Sequence, residues 1–321
     1  MGRIVGKPNS SSSGSGLRGK DLISFKDLSK GQVISILNES ESMLRALTRR
    51  AKLEYLENRI MATAFFEPST RTRLSFESAM QRLGGGVIGF SDVNTTSSVK
   101  GESLADTIRV VASYADIIVL RHPKAGAALE AAEYSDVPVI NAGDGSAEHP
   151  TQALYDLFTI KMQKRRLSGM SVAIVGDLKN ARTVHSFAYA VAMFKNNIKF
   201  IAPEQLQASG EMVEDLEDNY GIEIEKSDSL DEAKEADVIY IPRMQKERFL
   251  DPEEYKRFAN YYTINKKFLS KANDDIIVMS PLPRLGELPV EIDNLKSSVY
   301  FKQVAYGVPV RMAVLKLILG G

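Results

Sequence analysis

Apolar positions along the chain follow two alternating spacings. Val33, Ile36, Leu37, Leu44 and Leu47 fall on one face of a helix, which predicts a helix over 29–47. Short apolar runs at 59–65, 87–90, 117–120 and 137–140 read as strands. Between them the period returns to that of a helix at 69–83, stopped by Gly84-Gly85-Gly86, and at 103–114. A long helix is predicted over 150–164. A second series then opens, with strands at 170–176, 198–201, 237–241 and 276–279 and a helix around 184–194. An amphipathic helix is expected at 308–319. Short apolar strands alternating with helices imply parallel sheets covered on both faces. The expected fold class is therefore α/β, with two doubly wound parallel-sheet domains over 17–150 and 151–300 and the active site in the crevice between them. The last helix is expected to pack back on the first domain. Residues 1–16 are Ser/Gly-rich, too poor in apolar groups to offset the entropy of ordering, and without the apolar core of a secretory signal. They read as a disordered arm or leader.

In open parallel sheets ligands bind beyond the carboxyl ends of the strands, so the loops there carry the chemistry. After the first strand comes Phe66-Glu67-Pro68-Ser69-Thr70-Arg71-Thr72-Arg73, at a helix start. One hydroxyl suffices for an N-cap, which is the plainer reading for Ser69 or Thr70. Three hydroxyls around a guanidinium, placed against the helix macrodipole, suit a bound phosphate better. Arg121 follows another strand. His149 stands at the mouth of the 150–164 helix, with Pro150 at its first position and Gln152 just inside, behind a turn at Gly143-Asp144-Gly145. In the second series, Gly176 precedes a helix begun by Arg182, without the G-x-G-x-x-G of a dinucleotide loop. Arg243 and Gln245 follow the 237–241 strand. Ser280-Pro281-Leu282-Pro283-Arg284 follows the last one, and prolines there leave nearby carbonyls free to accept hydrogen bonds.

Composition narrows the choice. Of 321 residues, 41 are Lys or Arg and 41 are Asp or Glu, so the formal charge is zero. That balance argues against a general nucleic-acid binder. Cys is absent, which excludes disulfides, thiolate metal sites and cysteine nucleophiles, and three histidines make a His-rich metal site improbable. No apolar run nears the ~18–20 residues that span a bilayer. The expectation is a soluble, cytoplasmic protein with no metal, cofactor, membrane or nucleic-acid partner. Against zero overall charge, Arg71, Arg121, Arg182 and Arg243 all sit at strand-to-helix loops. The ligand they suit is multiply anionic, with a phosphate at the first domain and carboxylates at the second.

The motif 66–73 resembles the carbamoyl-phosphate signature of the aspartate/ornithine carbamoyltransferase family, and His149-Pro150-Thr151-Gln152 resembles its second signature. The similarity runs from about Leu17 to the C-terminus. Val99-Lys100-Gly101-Glu102-Ser103-Leu104, Arg243 with Gln245-Lys246-Glu247-Arg248, and Pro281-Leu282-Pro283-Arg284 resemble the aspartate rather than the ornithine branch. The resemblance implies a carbamoyl-phosphate-binding domain followed by an aspartate-binding domain. The implied reaction is attack of the aspartate α-amine on carbamoyl phosphate, early in pyrimidine synthesis, by orientation and electrostatics alone.

It further implies that Ser69, Thr70, Arg71 and Thr72 hold phosphate, and that Thr72, Arg121 and His149 face the carbamoyl oxygen. Gln152 and the carbonyls of Pro281 and Leu282 would take the carbamoyl amide. Arg182 and Arg243, with Gln245 beside them, would take the aspartate carboxylates. Lys100 and a hydroxyl near Thr96 would come from the neighbouring subunit of a homotrimer, with which a separate regulatory chain could associate. Glu67 would clamp Arg182 and Arg248. Three positions depart from the family pattern: Ser280 where many relatives have His, Val99 in place of a second basic residue, and Thr96-Ser97-Ser98. An ornithine or other amino-acid carbamoyltransferase is the neighbouring alternative, and a non-catalytic ligand-binding relative the more distant one.

Overall fold

A computed structural model of the chain describes residues 16–92, 96–245, 251–258 and 261–320. The arm expected at 1–16 lies outside them but for Gly16. The elements in order are α1 (Lys30–Thr48), β1 (Ile60–Phe65), α2 (Thr70–Arg82), β2 (Gly86–Phe90), α3 (Leu104–Ala112), β3 (Ile117–His122), α4 (Ala127–Glu133), β4 (Val139–Asp144) and α5 (Pro150–Lys164). There follow β5 (Ser171–Val175), α6 (Arg182–Met193), β6 (Asn197–Ile201), α7 (Gly210–Tyr220), β7 (Ile224–Ser227), β8 (Val238–Tyr240), α8 (Pro252–Phe258), α9 (Lys266–Leu269), β9 (Ile277–Met279) and α10 (Tyr300–Leu319).

Two parallel sheets result, ordered β2-β1-β3-β4 and β7-β6-β5-β8-β9. The register sets Met61 opposite Val87 and Ile117, and Ile174 opposite Phe200 and Tyr240. Five of the six β1 residues are buried, as a central strand covered on both faces requires. Each sheet runs outward in both directions from a central pair, which defines a switch point where ligands settle. In the first sheet it lies between β1 and β3, and in the second between β5 and β8.

Helix α5 joins the two halves. Its residues from Pro150 to Ile160 are all buried, and it lies against α1, α6 and α10. Helix α10 returns from the second sheet to pack on α1, α2 and α5. Met61 and Phe65 of the first sheet share one continuous apolar cluster with Val172 and Ile174 of the second.

Several boundaries differ from the sequence reading, for physical reasons. Strand β4 runs on through Asn141 to Asp144, so the turn expected from Gly143 is partly strand. The Asn141 carboxamide sustains the extension, bonding to Asp144 and to the Gly143 N–H. Helix α10 begins at Tyr300, two turns before the predicted start, and passes through Gly307 and Pro309, residues that ordinarily disfavour a helix interior. Strand β7 and helix α7 carry too few apolar residues to show a period, since only Met212 and Leu216 of α7 are buried. Among the described residues no helix is long and apolar enough to cross a membrane, and no cluster of His, Asp and Glu could hold a metal.

Candidate active site

The two switch points face a common cleft of about 470 Å³. Its walls include Ser69, Thr70, Arg71, Thr72, Arg121, His149, Gln152, Arg182, Arg243, Gln245, Pro281 and Leu282, from loops scattered over more than two hundred residues of chain. Lys100 and Thr96 are not among the lining residues; Lys100 is exposed in a short turn, Ser97–Lys100. Among the described residues, five arginines enter the cleft against a single carboxylate, Glu67.

Helix α2 presents its N-terminus to this space. Ser69 is the N-cap residue, yet its hydroxyl makes no capping bond, which leaves that hydroxyl and the first-turn N–H groups for an anion. Arg71 is exposed to the cleft, and its side chain makes no ion pair or hydrogen bond among the described residues. Desolvation pushes its guanidinium down; Arg243 adds to this, and Tyr155 opposes it.

Arg121 and Arg182 are the opposite case. Both bind the same oxygen, Glu67 Oε1, at 2.7 and 2.6 Å. One carboxylate thus ties β3 of the first sheet to α6 of the second. Arg121 also donates to the Ala142 carbonyl at 3.1 Å, and Arg182 to the Gly145 carbonyl at 2.7 Å. Burial, then repulsion from Arg182, pushes Arg121 down to about 10, so it remains a cation at neutral pH. The clamp expected from Glu67 to Arg182 is present, with Arg121 as its second partner; Arg248 lies outside the described residues.

His149 is buried at the N-cap of α5. Its Nε2 lies 3.4 Å from Thr72 Oγ1, and its Nδ1 has no partner among the described residues. Burial, reinforced by Arg121, Arg311 and Arg182, holds the imidazole well below its usual range. It is neutral at physiological pH and adds no charge to the arginines.

Arg243 donates to the Met244 carbonyl at 3.0 Å, and Gln245 to the Asn180 carbonyl at 3.4 Å. Ser280 is buried, its N–H held by Gln303 and its Oγ accepting the Leu282 N–H at 3.3 Å. At this position the serine shapes the loop that carries the two carbonyls.

Sequence reading overlooked Ser75, Tyr155, Thr183 and Arg311, which also line the cleft. Arg311 had a signal: a cation within the apolar run of α10, at a position that should be core. Its guanidinium lies between the Phe76 and Tyr155 rings, 4.8 and 5.0 Å from their centroids.

Comparison with known proteins settles the family. Residues 20–162 match the model of the aspartate/ornithine carbamoyltransferase carbamoyl-P binding domain, and residues 168–318 that of its Asp/Orn binding domain. The chain belongs to the aspartate/ornithine carbamoyltransferase family. An aspartate carbamoyltransferase catalytic subunit from Methanocaldococcus jannaschii is 50% identical over 92% of this chain and 97% of its own. One from Thermococcus gammatolerans is 50% identical over 94% of this chain and 98% of its own. Among solved structures, aspartate transcarbamoylase from Trypanosoma cruzi in complex with N-(phosphonacetyl)-L-aspartic acid superposes with a TM-score of 0.91 at 38% identity, over 95% of this chain and 97% of that one. The same enzyme is also solved with carbamoyl phosphate and aspartate.

Proposed function

We propose that this chain is an aspartate carbamoyltransferase, transferring the carbamoyl group of carbamoyl phosphate to the α-amine of L-aspartate. The products are N-carbamoyl-L-aspartate and phosphate, at the head of pyrimidine synthesis. One observation carries the reading: among the described residues, five arginines and one carboxylate meet where the switch points of both sheets open into one cleft. Such a field suits two substrates that are both anionic.

The roles follow from position. The α2 N-terminus, Ser69, Thr70, Thr72 and Arg71 take the phosphate. Arg121, Thr72 and neutral His149 surround the carbamoyl oxygen, on which negative charge grows as the amine attacks. Gln152 and the Pro281 and Leu282 carbonyls take the carbamoyl amide. Arg182 and Arg243, with Gln245, take the two carboxylates. The new C–N bond forms as the C–O bond to phosphate breaks, and the amine proton leaves with the phosphate. The chain's contribution is orientation and preorganised charge.

We further propose that the working form is a cytoplasmic homotrimer in which Lys100 and Thr96 reach a neighbour's cleft. Lys100 is exposed and lies off its own cleft. Leu74, Ile88 and Val99 are exposed on elements around β2, the edge strand that leads to it.

Assay of carbamoyl transfer to aspartate and to ornithine, in wild type and in Arg243→Lys, tests the assignment. Aspartate is the expected acceptor. Arg243→Lys loses the two-point grip on a carboxylate and is expected to raise the aspartate KM about tenfold or more, with carbamoyl-phosphate binding largely unchanged. Preference for ornithine, or equal loss of both affinities, contradicts it.

A further inference from the structure

Beneath the cleft lies a buried polar cluster to which no role has been given. Its centre is Asp156 of α5, wholly buried. One oxygen, Oδ1, accepts from Gln152 Nε2 at 2.8 Å and from Gln303 Nε2 at 2.7 Å. Each glutamine then turns its carbonyl oxygen the other way. Gln303 Oε1 accepts the Ser280 N–H at 2.8 Å, at the root of the Pro281-Leu282 turn. Gln152 Oε1 accepts the Tyr155 hydroxyl at the cleft wall.

An ionised carboxylate only accepts hydrogen bonds, so each glutamine can meet it only with its amide NH₂ end; the Tyr240 hydroxyl is a further donor facing the carboxylate. The orientation of both glutamines is therefore dictated by Asp156. A carboxamide oxygen has two acceptor sites, and the Tyr155 hydroxyl takes one of those on Gln152. We infer that Asp156 is a positioning residue: by fixing the polarity of the Gln152 and Gln303 amides it keeps acceptors, not donors, facing the amide group of the carbamoyl donor. The inference rests on the carbamoyl-transfer reading above. It adds what distinguishes a carbamoyl group from an acyl group of the same shape, namely two N–H donors that need acceptors.

Burial pushes the Asp156 carboxyl up to about 7, opposed by its bonds to Gln303, Gln152 and Tyr240 and by Arg311. The other titratable groups facing it are Tyr155 of the same helix and Tyr240 of β8, both pushed up by burial, and Arg311 of α10, pushed down by burial. Both amides bond Oδ1 and neither bonds Oδ2, so a proton taken up at Oδ2 leaves Oδ1 accepting from both.

The test compares carbamoyl phosphate with acetyl phosphate, which carries a methyl group in place of NH₂. In Asp156→Leu neither glutamine amide has an acceptor to hold it, so kcat/KM for carbamoyl phosphate is expected to fall about tenfold or more, with the inhibition constant of acetyl phosphate within about twofold of wild type. In Asp156→Asn, whose amide oxygen can accept from both glutamines as Oδ1 does, the preference for carbamoyl over acetyl phosphate should stay close to that of wild type. Parallel weakening of both ligands in Asp156→Leu, or no change in either, overturns the assignment. Should Asp156→Leu not fold, Gln303→Met serves: it releases the Ser280 N–H, and an unchanged carbamoyl-to-acetyl ratio contradicts the inference. A wild-type protein that turns over no carbamoyl phosphate defeats the functional reading itself, and this inference with it. A wild type that turns it over beside an unaffected Asp156→Leu defeats the inference alone.

Discussion

Arg71 differs from the other arginines of the cleft in having no protein partner for its charge among the described residues. Arg121 and Arg182 share Glu67, and Arg311 is sandwiched between rings. A cation at the first turn of a helix opposes the macrodipole, so its placement is favourable only with an anion present. Arg71→Ala is expected to lower turnover by about 10²–10³ through loss of charge stabilisation on the leaving phosphate. Steady-state kinetics with saturating substrates measures this, and near-normal turnover contradicts it. The importance of Arg71 was legible in the sequence because hydroxyls surround it in a strand-to-helix loop. Arg121 was legible as a cation at a strand end, but its bond to Glu67 was not, since the two are joined only by the pairing of β1 with β3.

At the scale of elements, the loop after β4 shows how closely backbone must approach backbone to shape the cleft. Gly145 has φ +50°, and a Cβ there would lie 2.5 Å from the Ala125 backbone nitrogen. Its carbonyl meanwhile accepts from Arg182. Neither the positive φ nor the contact admits a side chain without moving the loop. Gly145→Ala is expected to destabilise the fold by ~1–3 kcal/mol and to weaken aspartate binding through the displaced Arg182. Denaturant unfolding with parallel KM measurements tests this, and unchanged values for both contradict it. Most elements were readable because their apolar residues recur at the period of a strand or helix, as in β1 and α1. The early start of α10 was hidden by Gly307 and Pro309. Gly307 is needed because a Cβ there would come within 2.6 Å of Arg311 Nη1, a contact between residues that local sequence cannot weigh against helix-breaking tendency.

Across the whole molecule, α5 and α10 hold the two sheets so that their switch points open into one space. The alternation of strands and helices made two parallel-sheet halves legible. The Asp156 cluster was not, because it assembles from α5, α10 and the loop after β9, and no local pattern marks a buried carboxylate among apolar neighbours. For the proposed trimer, reassembly of Arg71→Ala with Lys100→Ala chains should restore about one quarter of wild-type activity, since random mixing makes about three quarters of closed rings hybrid with one intact site in three. Hybrids that form and remain inactive place Lys100 in its own chain's site. The central claim, that phosphate and dicarboxylate are read by two sheet edges within one cleft, is tested most directly by calorimetric titration of N-(phosphonacetyl)-L-aspartic acid against phosphate and succinate given separately. The account predicts that the joined ligand binds at one site per chain, far more tightly than either half, and that Arg71→Ala and Arg243→Ala each weaken it while sparing the half-ligand held at the other edge. Binding of the joined ligand no tighter than that of the better half would contradict it.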